Sequence, residues 1–230
     1  MSIPASGSAA PRTRADAPDV PLQQEQRQMA RSRIERAAWS VLADRGLIAT
    51  VEEVAREANV SIRTVFRHYG TRDHMIASAL RAQLHRYGDS LPVPEPDAVL
   101  EVWLPALLVQ MHRLNAEMGR AYWELASLGD TLSGELAEVA AERYVGRKRL
   151  VSAVTKGAWD LAGGRGRYPR WLLDAFAVHL SAFATRSLVT DFGRSVDEVS
   201  AMSAQVLLMA VRAAADPVTL SLLSPTGELN

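Results

Sequence analysis

The sequence predicts an all-α protein with an N-terminal three-helix head and a larger helical body. Apolar residues recur three or four positions apart through most of the chain, as they do along one face of an α-helix. No alternating apolar pattern is long enough to predict a β-sheet. The stretch at residues 91–96, which contains three prolines, predicts a stiff linker between the two parts.

Charge is unevenly distributed, although the formal net charge of the chain is zero. Residues 1–88 hold 13 arginines, no lysine and 9 acidic residues, a balance of +4, whereas residues 89–230 hold 13 basic and 17 acidic residues, a balance of −4. This asymmetry predicts that only the first part meets nucleic acid. The chain has no cysteine, which excludes disulfides and cysteine-ligated metals.

The two ends of the chain lack helical patterning. Residues 1–22 are rich in Pro, Ala and Ser and predict a disordered tail, and residues 217–230 predict a C-terminal tail. The N-terminus lacks the apolar core of a signal peptide, and no run of 18 apolar residues predicts a membrane span. We therefore expect a cytoplasmic protein with no membrane partner, no metal and no cofactor.

The head, residues 23–88, begins with two helices whose ends are marked by the sequence. The first is predicted over residues 24–44 and ends before Gly46. Thr50 then precedes the second helix, and Glu53 follows three residues later. This spacing predicts a capping box.

A tight turn leads from the second helix into a short third helix, which is the order of a helix-turn-helix. Asn59 is expected in the left-handed conformation of the turn. Ser61 is expected to cap the third helix, which extends to about residue 68. Thr71 caps a fourth helix predicted over residues 72–87.

The third helix has a basic face, because residues 61–72 contain three arginines and no acidic residue. Arg63 and Arg67 are four positions apart, and Ile62 and Phe66 lie beside them. Arginine suits bidentate contact with guanine, and an apolar side chain suits the thymine methyl group, so this face fits a major groove. Residues near helix ends that are expected to contact phosphates are Thr50, Ser61, Thr64, His68, Tyr69 and Arg72.

Residues 31–80 resemble the DNA-binding head of the TetR family of bacterial repressors. The matching positions are Ala37, Gly46, segments 50–55, 58–61 and 64–69, and Arg72 with Asp73. The family usually has Gly, Tyr, Phe and Lys where this chain has Asn59, Phe66, Tyr69 and Arg72. The resemblance implies a homodimer that binds a palindromic operator on double-stranded DNA and releases it when a small-molecule effector enters the body.

The body, residues 97–216, is predicted to be helical near residues 97–115, 116–128, 132–157, 169–191 and 195–214. Pro105 is expected to kink or split the first of these helices. The last two are the most apolar and contain many small residues. The resemblance implies that they pack against their copies as a four-helix bundle; the alternative is that they form only the core of the body.

An effector cavity is expected among the helices from about residue 97 to residue 185. Candidate lining residues are Trp103, Met111, His112, Tyr122, Trp123, Trp159, His179 and Phe183. Each has a second interpretation, because aromatic residues and methionine at helical spacing are also typical of plain core packing. An apolar lining would favour a hydrophobic or aromatic effector.

Two other classes of protein are alternatives to a ligand-responsive regulator. The sequence has no metal-spaced His/Cys set, no glycine-rich phosphate loop after a strand and no nucleophile elbow, so an enzyme is not expected. A constitutive or architectural DNA-binding protein, whose helical body only dimerises, remains the alternative. A body packed without a pocket would favour it.

Overall fold

The computed structural model describes residues 22–95 and 97–216, which form ten α-helices and two short 3-10 helices without any β-strand. The predicted all-α fold is confirmed. Both predicted tails lie outside the described residues, except that Leu22 is the first residue of the first helix.

The first four helices match the predicted head closely. They are α1 (Leu22–Arg45), α2 (Val51–Glu57), α3 (Ile62–Tyr69) and α4 (Arg72–Asp89). The body contains α5 (Leu100–Ala116), α6 (Arg120–Leu128), α7 (Gly134–Leu161), α8 (Arg170–His179), α9 (Ala182–Thr190) and α10 (Val196–Ala215). The 3-10 helices are Gly46–Ile48 and Gly129–Thr131.

The caps that the sequence predicts in the head are present. The Thr50 hydroxyl accepts a hydrogen bond from the Glu53 N–H at 3.2 Å, and the Glu53 carboxylate accepts one from the Thr50 N–H at 2.9 Å. Asn59 has a φ of 53°, which is the left-handed conformation expected for the turn. The capping box fixes the start of α2, and the left-handed Asn59 follows its end, at the positions that a helix-turn-helix requires.

A first hydrophobic core joins the head to the nearer half of the body. Ile34, Leu42, Val54, Val65 and Ile76 are fully buried or nearly so within the head. The same cluster also contains buried residues of two body helices, Ala121 and Leu125 of α6 and Leu136 and Val139 of α7. The hydrophobic packing is therefore continuous between head and body. A domain boundary between residues 88 and 97 stays a prediction, since one core contains residues from both sides of it.

Helix α6 is fixed to the loop that precedes the helix-turn-helix. The Leu47 N–H donates a hydrogen bond to the Glu124 carboxylate at 2.6 Å. Arg120 pairs with the same carboxylate at 2.7 Å, which orients it toward the loop. A body helix therefore satisfies a backbone donor of the head.

A second hydrophobic core lies within the body. It is built chiefly by α5, α7, α8 and α10, whose side chains Leu104, Leu108, Phe176, Leu207 and Val211 are completely buried or nearly so. Pro105 lies inside α5, which nevertheless runs without a break from Leu100 to Ala116. The predicted split at this proline does not occur.

The predicted helix over residues 169–191 is wrong as a single element, because the chain bends by 49° between α8 and α9. Leu180 and Ser181 separate the two helices, and Ser181 has an extended backbone at the N-cap of α9. The region of the break contributes buried side chains, Leu180 and Ala182, to the interior. Neither Gly nor Pro marks the break, so the sequence gives no local signal for it.

One helix among the described residues, α10, is long and apolar enough to cross a membrane by length and composition. The bent pair of α8 and α9 would count as a second if the two were taken as one segment. In this structure α10 packs on α5 and α8, and its buried side contributes Leu207 and Val211 to the second core. Such packing is typical of a core helix in a helical domain.

Candidate functional site

Helix α3 is held in place by its buried face and by its N-cap. Val65 is buried in the first core beside Ala55 and Ala58 of the preceding segment. The Ser61 hydroxyl accepts a hydrogen bond from the Thr64 N–H at 3.1 Å, which satisfies one free donor at the start of the helix. The opposite side of α3 is exposed to solvent.

The solvent side of α3 combines two cations with two apolar groups. Arg63 and Arg67 are exposed, and the side chains of Ile62 and Phe66 are 42% and 43% exposed. Within the part of the chain that the structure describes, neither arginine has an ion pair or a hydrogen bond to another side chain. We call these four residues the α3 face. Unpaired guanidinium groups beside exposed apolar side chains are suited to base edges and phosphates in a groove.

Tyr69 packs in the interior of the head. Its side chain is only 5% exposed, and its hydroxyl donates toward the Arg31 carbonyl oxygen at 3.5 Å. Burial raises the pKa of Tyr69 to about 12. The ring lies against Arg31 of α1 and His74 of α4, and this burial disfavours the expected phosphate contact, which stays a prediction.

Arg72 is likewise used inside the head rather than presented to DNA. Its guanidinium donates to the carbonyl oxygens of Leu47 and Ala49, the latter at 2.7 Å, and pairs with Asp73 at 3.0 Å. These contacts tie the start of α4 to the loop before α2. These hydrogen bonds give Arg72 a structural role, and its expected phosphate contact stays a prediction.

His68 is half-buried, and its Nε2 atom is enclosed without a hydrogen-bond partner among the described residues. Burial, followed by the nearby charges of Arg67, Arg31 and Arg27, lowers the pKa of His68. A lowered pKa disfavours the charged ring, which is the form that attracts a phosphate. Contact of His68 with DNA stays a prediction.

The remaining phosphate candidates are hydroxyl residues engaged in caps. Thr50 and Ser61 are exposed, and Thr64 is half-buried. The hydroxyls of Ser61 and Thr64 lie 2.8 Å apart in a hydrogen bond. Their places at the starts of α2 and α3 are where backbone N–H groups meet phosphates, so these contacts remain predictions.

A cavity of about 890 Å³ lies in the body between α4 and α7. Tyr87 of α4, Asn115 of α5 and Tyr122 of α6 contribute to its wall, and Leu180 and Ala182 add the break between α8 and α9. Its α7 side presents Glu138, Ala141, Glu142, Arg143, Val145, Gly146, Arg147, Arg149, Leu150 and Val151. Its volume falls in the range of pockets that bind small organic molecules.

Among the eight predicted effector residues, only Tyr122 lines this cavity. The indoles of Trp103, Trp123 and Trp159 instead donate to the carbonyl oxygens of Pro92, Met118 and Gly166 at 3.2, 2.9 and 3.3 Å. Met111 is completely buried, and Phe183 lies against Trp123 with ring centroids 5.3 Å apart. Trp103, Met111 and Trp159 are buried, as is typical of large side chains at helical spacing, whereas Trp123 is half-buried and Phe183 is 45% exposed. A ligand contact of these five residues stays a prediction.

The two predicted histidines also lie outside the cavity wall, and His112 belongs to a buried polar cluster. His112 Nδ1 is 2.8 Å from the Thr185 hydroxyl, to which Asn115 donates at 3.2 Å, and the Tyr87 hydroxyl donates to Asn115 at 3.1 Å. His179 is 3.2 Å from the Ser203 hydroxyl. Burial, with a smaller contribution from His179, lowers the pKa of His112 to about 4. His112 is therefore a neutral histidine that links α5 to α9.

The polar part of the cavity wall is absent from the residues predicted from the sequence. Arg143 and Arg147 are spaced four apart on α7 and face the cavity together with Tyr87. The spacing was visible in the sequence, but basic residues on a helix are usually a solvated face. Among the described residues, no group of three or more His, Asp or Glu side chains is arranged to hold a metal ion.

Comparison with known proteins gives independent information about the head. Residues 34–79 match the family model described as "Bacterial regulatory proteins, tetR family". The chain is 31% identical over 129 residues to the HTH-type transcriptional repressor SCO4008 of Streptomyces coelicolor. That alignment covers 55% of this chain and 64% of the repressor, which is less than two thirds of its length.

Solved structures resemble the chain over most of its length. A tetR-family transcriptional regulator from Streptomyces coelicolor aligns with a TM-score of 0.64 at 16% identity, covering 85% of this chain and 86% of that one. A transcriptional regulator from Pseudomonas aeruginosa PAO1 aligns with a TM-score of 0.62 at 18% identity, covering 85% and 94%. At these identities the likeness concerns the fold alone.

Proposed function

Because the chain belongs to the TetR family of bacterial transcriptional regulators, we propose that it is a homodimeric repressor that releases its operator when a small molecule binds in the body. Membership of a family of DNA-binding regulators agrees with the expectation that the chain is not an enzyme. The proposal rests above all on the α3 face, whose two arginines are exposed and have no acidic partner among the described residues.

In this proposal the α3 face enters a major groove. Arg63 and Arg67 donate to guanine or to phosphate oxygens, and Ile62 or Phe66 contacts thymine methyl groups. Because Val65 and Tyr69 anchor the other side of the helix in the core, α3 meets DNA as a rigid element. Cap residues Thr50, Ser61 and Thr64 lie at helix starts that would approach the phosphates.

Dimerisation is proposed through α8, α9 and α10, as predicted for residues 169–191 and 195–214. Val178 of α8 and Met209 of α10 are large apolar side chains that are 60% and 65% exposed. Ala201 and Gln205 share the exposed side of α10 with Met209 at a spacing of four. A two-fold dimer through these helices would present two α3 faces to the half-sites of a palindrome.

The effector is proposed to act on the packing between α4 and α7. Arg81 of α4 donates to Glu142 of α7 at 3.0 Å, and both residues belong to the cavity wall. Only two residues separate the end of α3 from the start of α4, and α4 packs against α1. A molecule that favours a different α4–α7 arrangement would thus change the separation of the two α3 helices in the dimer. The protein would shift toward a conformation that does not fit the operator.

The architectural alternative predicts a body packed without a pocket. The cavity of about 890 Å³ supports the ligand-responsive proposal instead. We also propose that the protein works in the cytoplasm, where its operator would be.

A footprint on the DNA upstream of the chain's own gene tests the repressor proposal. The wild type should protect a palindromic segment, and the double variant Arg63→Ala with Arg67→Ala should lose protection while keeping its fold. Arg165→Ala is the matched control, since Arg165 is exposed in the loop before α8 and far along the chain from the head. An unchanged footprint in the double variant would exclude the α3 face as the recognition surface.

A further inference from the structure

We propose that the body cavity binds an organic anion with an apolar body, and that Arg143 and Arg147 hold its anionic group. This inference rests on the proposed function only in treating the cavity as the effector site. The charge and hydrogen bonding of the wall define the chemical class of the ligand.

Arg143 has unused donors inside the cavity wall. Its guanidinium carbon lies 4.9 Å from the centroid of the Tyr122 ring, and its terminal nitrogen donates to the Tyr122 hydroxyl at 3.4 Å. Its Nε atom is buried and has no hydrogen-bond partner among the described residues. The Nε atom is closed off from the cavity, whereas the terminal nitrogen that does not contact Tyr122 has no hydrogen bond among the described residues, so a ligand oxygen can pair with it.

Arg147 lies one helical turn further along α7 on the same side of the helix. It donates to the Ala177 carbonyl oxygen at 2.7 Å, which fixes its side chain but leaves its positive charge uncompensated. Among residues 22–95 and 97–216, no carboxylate lies within ion-pair distance of Arg143 or Arg147. Two adjacent guanidinium groups in a half-buried wall are the usual means of binding a carboxylate or a phosphate.

The other charged groups of the wall do not neutralise these two arginines. Arg81 occupies both glutamates of the wall, donating to Glu142 at 3.0 Å and to Glu138 at 3.3 Å. The wall contains four arginines, of which the fourth is Arg149, against these two glutamates, a balance of +2. This cation excess stands in a body whose sequence is acidic, so it is a local feature of the cavity.

The rest of the wall is suited to an apolar body rather than to a polar one. Leu84, Val145, Leu150, Val151 and Leu180 contribute side chains to it. Tyr87 adds an aromatic ring, and burial raises the pKa of its hydroxyl, so that it stays neutral and donates to Asn115. A hydrophobic molecule with one anionic end fits both parts of this wall. A hydrophobic cation would be repelled by the unpaired arginines.

Three probes with the same alkyl chain and different end groups test the inference: decanoate, decanol and decylamine. Naphthoate adds an aromatic anion, and decyl phosphate separates a phosphate from a carboxylate preference. The readout is the shift in melting temperature of the full chain, followed by calorimetric titration. Operator binding without any probe is measured on the same samples, so that failure of the repressor proposal is seen separately.

We expect at least one of the anionic probes to stabilise the wild type, with decanol and decylamine giving smaller shifts. Arg143→Gln and Arg147→Gln should each weaken that binding about tenfold or more, as expected for loss of a hydrogen bond to a charged group. Lys148→Gln should bind like the wild type, because Lys148 is exposed on the same helix and outside the cavity wall.

Equal stabilisation by decanol or decylamine and by the anions would overturn the inference, as would the absence of any shift with all three anions. Unchanged affinity in both arginine variants would overturn the assignment of those residues. If a variant fails to fold, Arg143→Lys and Arg147→Lys keep the charge and are expected to retain part of the affinity.

Discussion

Gly119, the N-cap of α6, packs directly on the backbone of Ala43 in α1. A Cβ atom at position 119 would overlap the Cα atom of Ala43, so the two helices meet at a distance that only glycine allows. Together with the hydrogen bond from Leu47 to Glu124, this contact fixes the body to the head.

Gly119→Ala is therefore expected to lower the free energy of unfolding by about 1–3 kcal/mol, as overpacking does in other cores. The obstructing atoms are the Cα, Cβ and carbonyl oxygen of Ala43, none of which can rotate away as the end of a longer side chain could. Urea denaturation provides the measurement. Gly146→Ala is the control, since a Cβ atom there meets nothing within 4 Å and alanine favours the α7 helix. Equal stabilities of the two variants would contradict the close contact.

Arg72→Ala should reduce stability rather than DNA affinity per folded molecule. The change removes the donors to the Leu47 and Ala49 carbonyls and leaves these acceptors short of partners. A loss of about 1–3 kcal/mol in the free energy of unfolding is expected. Arg63→Ala provides the comparison, because it should alter unfolding by less than about 0.5 kcal/mol while weakening operator binding. The reverse pattern would return Arg72 to the phosphate-contacting role suggested by the sequence.

Local and long-range contacts of the head differ in how well the sequence could predict them. The caps at Thr50 and Ser61 and the turn at Asn59 depend on residues within four positions of one another, so their patterns were readable. The engagement of Arg72 spans 25 residues and that of Leu47 with Glu124 spans 77. Such contacts depend on how helices pack, which periodicity does not encode.

The cavity was less predictable than the α3 face for the same physical reason. Aromatic residues such as Trp103 and Trp159 look like ligand contacts in a sequence, but their size takes them into the core. In the sequence, Arg143 and Arg147 look like a solvated helix face. In the structure they share a cavity wall with residues of α4 and with Leu180. The break between α8 and α9 contains neither glycine nor proline, so the sequence does not predict it.

Met209→Glu is expected to convert the proposed dimer to a monomer. The side chain is exposed on α10, so a charge there is tolerated in the free chain but becomes buried and unpaired in a dimer. Sedimentation equilibrium measures the mass. Met29→Glu is the matched control on α1, where a methionine is exposed to a similar extent. A dimer of unchanged stability in Met209→Glu would move the interface away from α10.

The buried His112 predicts an acid-sensitive body. Its pKa is lowered to about 4 in the folded protein from an ordinary value of 6.5, so the unfolded chain binds the proton more readily between these values. Stability from the neutral ring is therefore complete above about pH 6.5 and is lost as the pH falls toward about 4, by up to about 3 kcal/mol.

His112→Gln removes this titration while keeping a side-chain partner for Thr185. The free energy of unfolding of the variant should fall less than that of the wild type between about pH 7 and about pH 4.5. His179, which contributes to the shift, is unchanged in both proteins and provides an internal reference. Parallel pH profiles would show that His112 does not remain neutral in the folded state.

Selection of bound sites from a pool of randomised DNA duplexes tests the central claim most directly. The wild type should enrich an inverted repeat whose half-sites lie about one helical turn apart, and Arg63→Ala should lose base preference at one symmetric pair of positions while still binding the remainder. Enrichment of a single unrepeated site, or of no sequence at all, would contradict a dimer that reads DNA with two α3 faces.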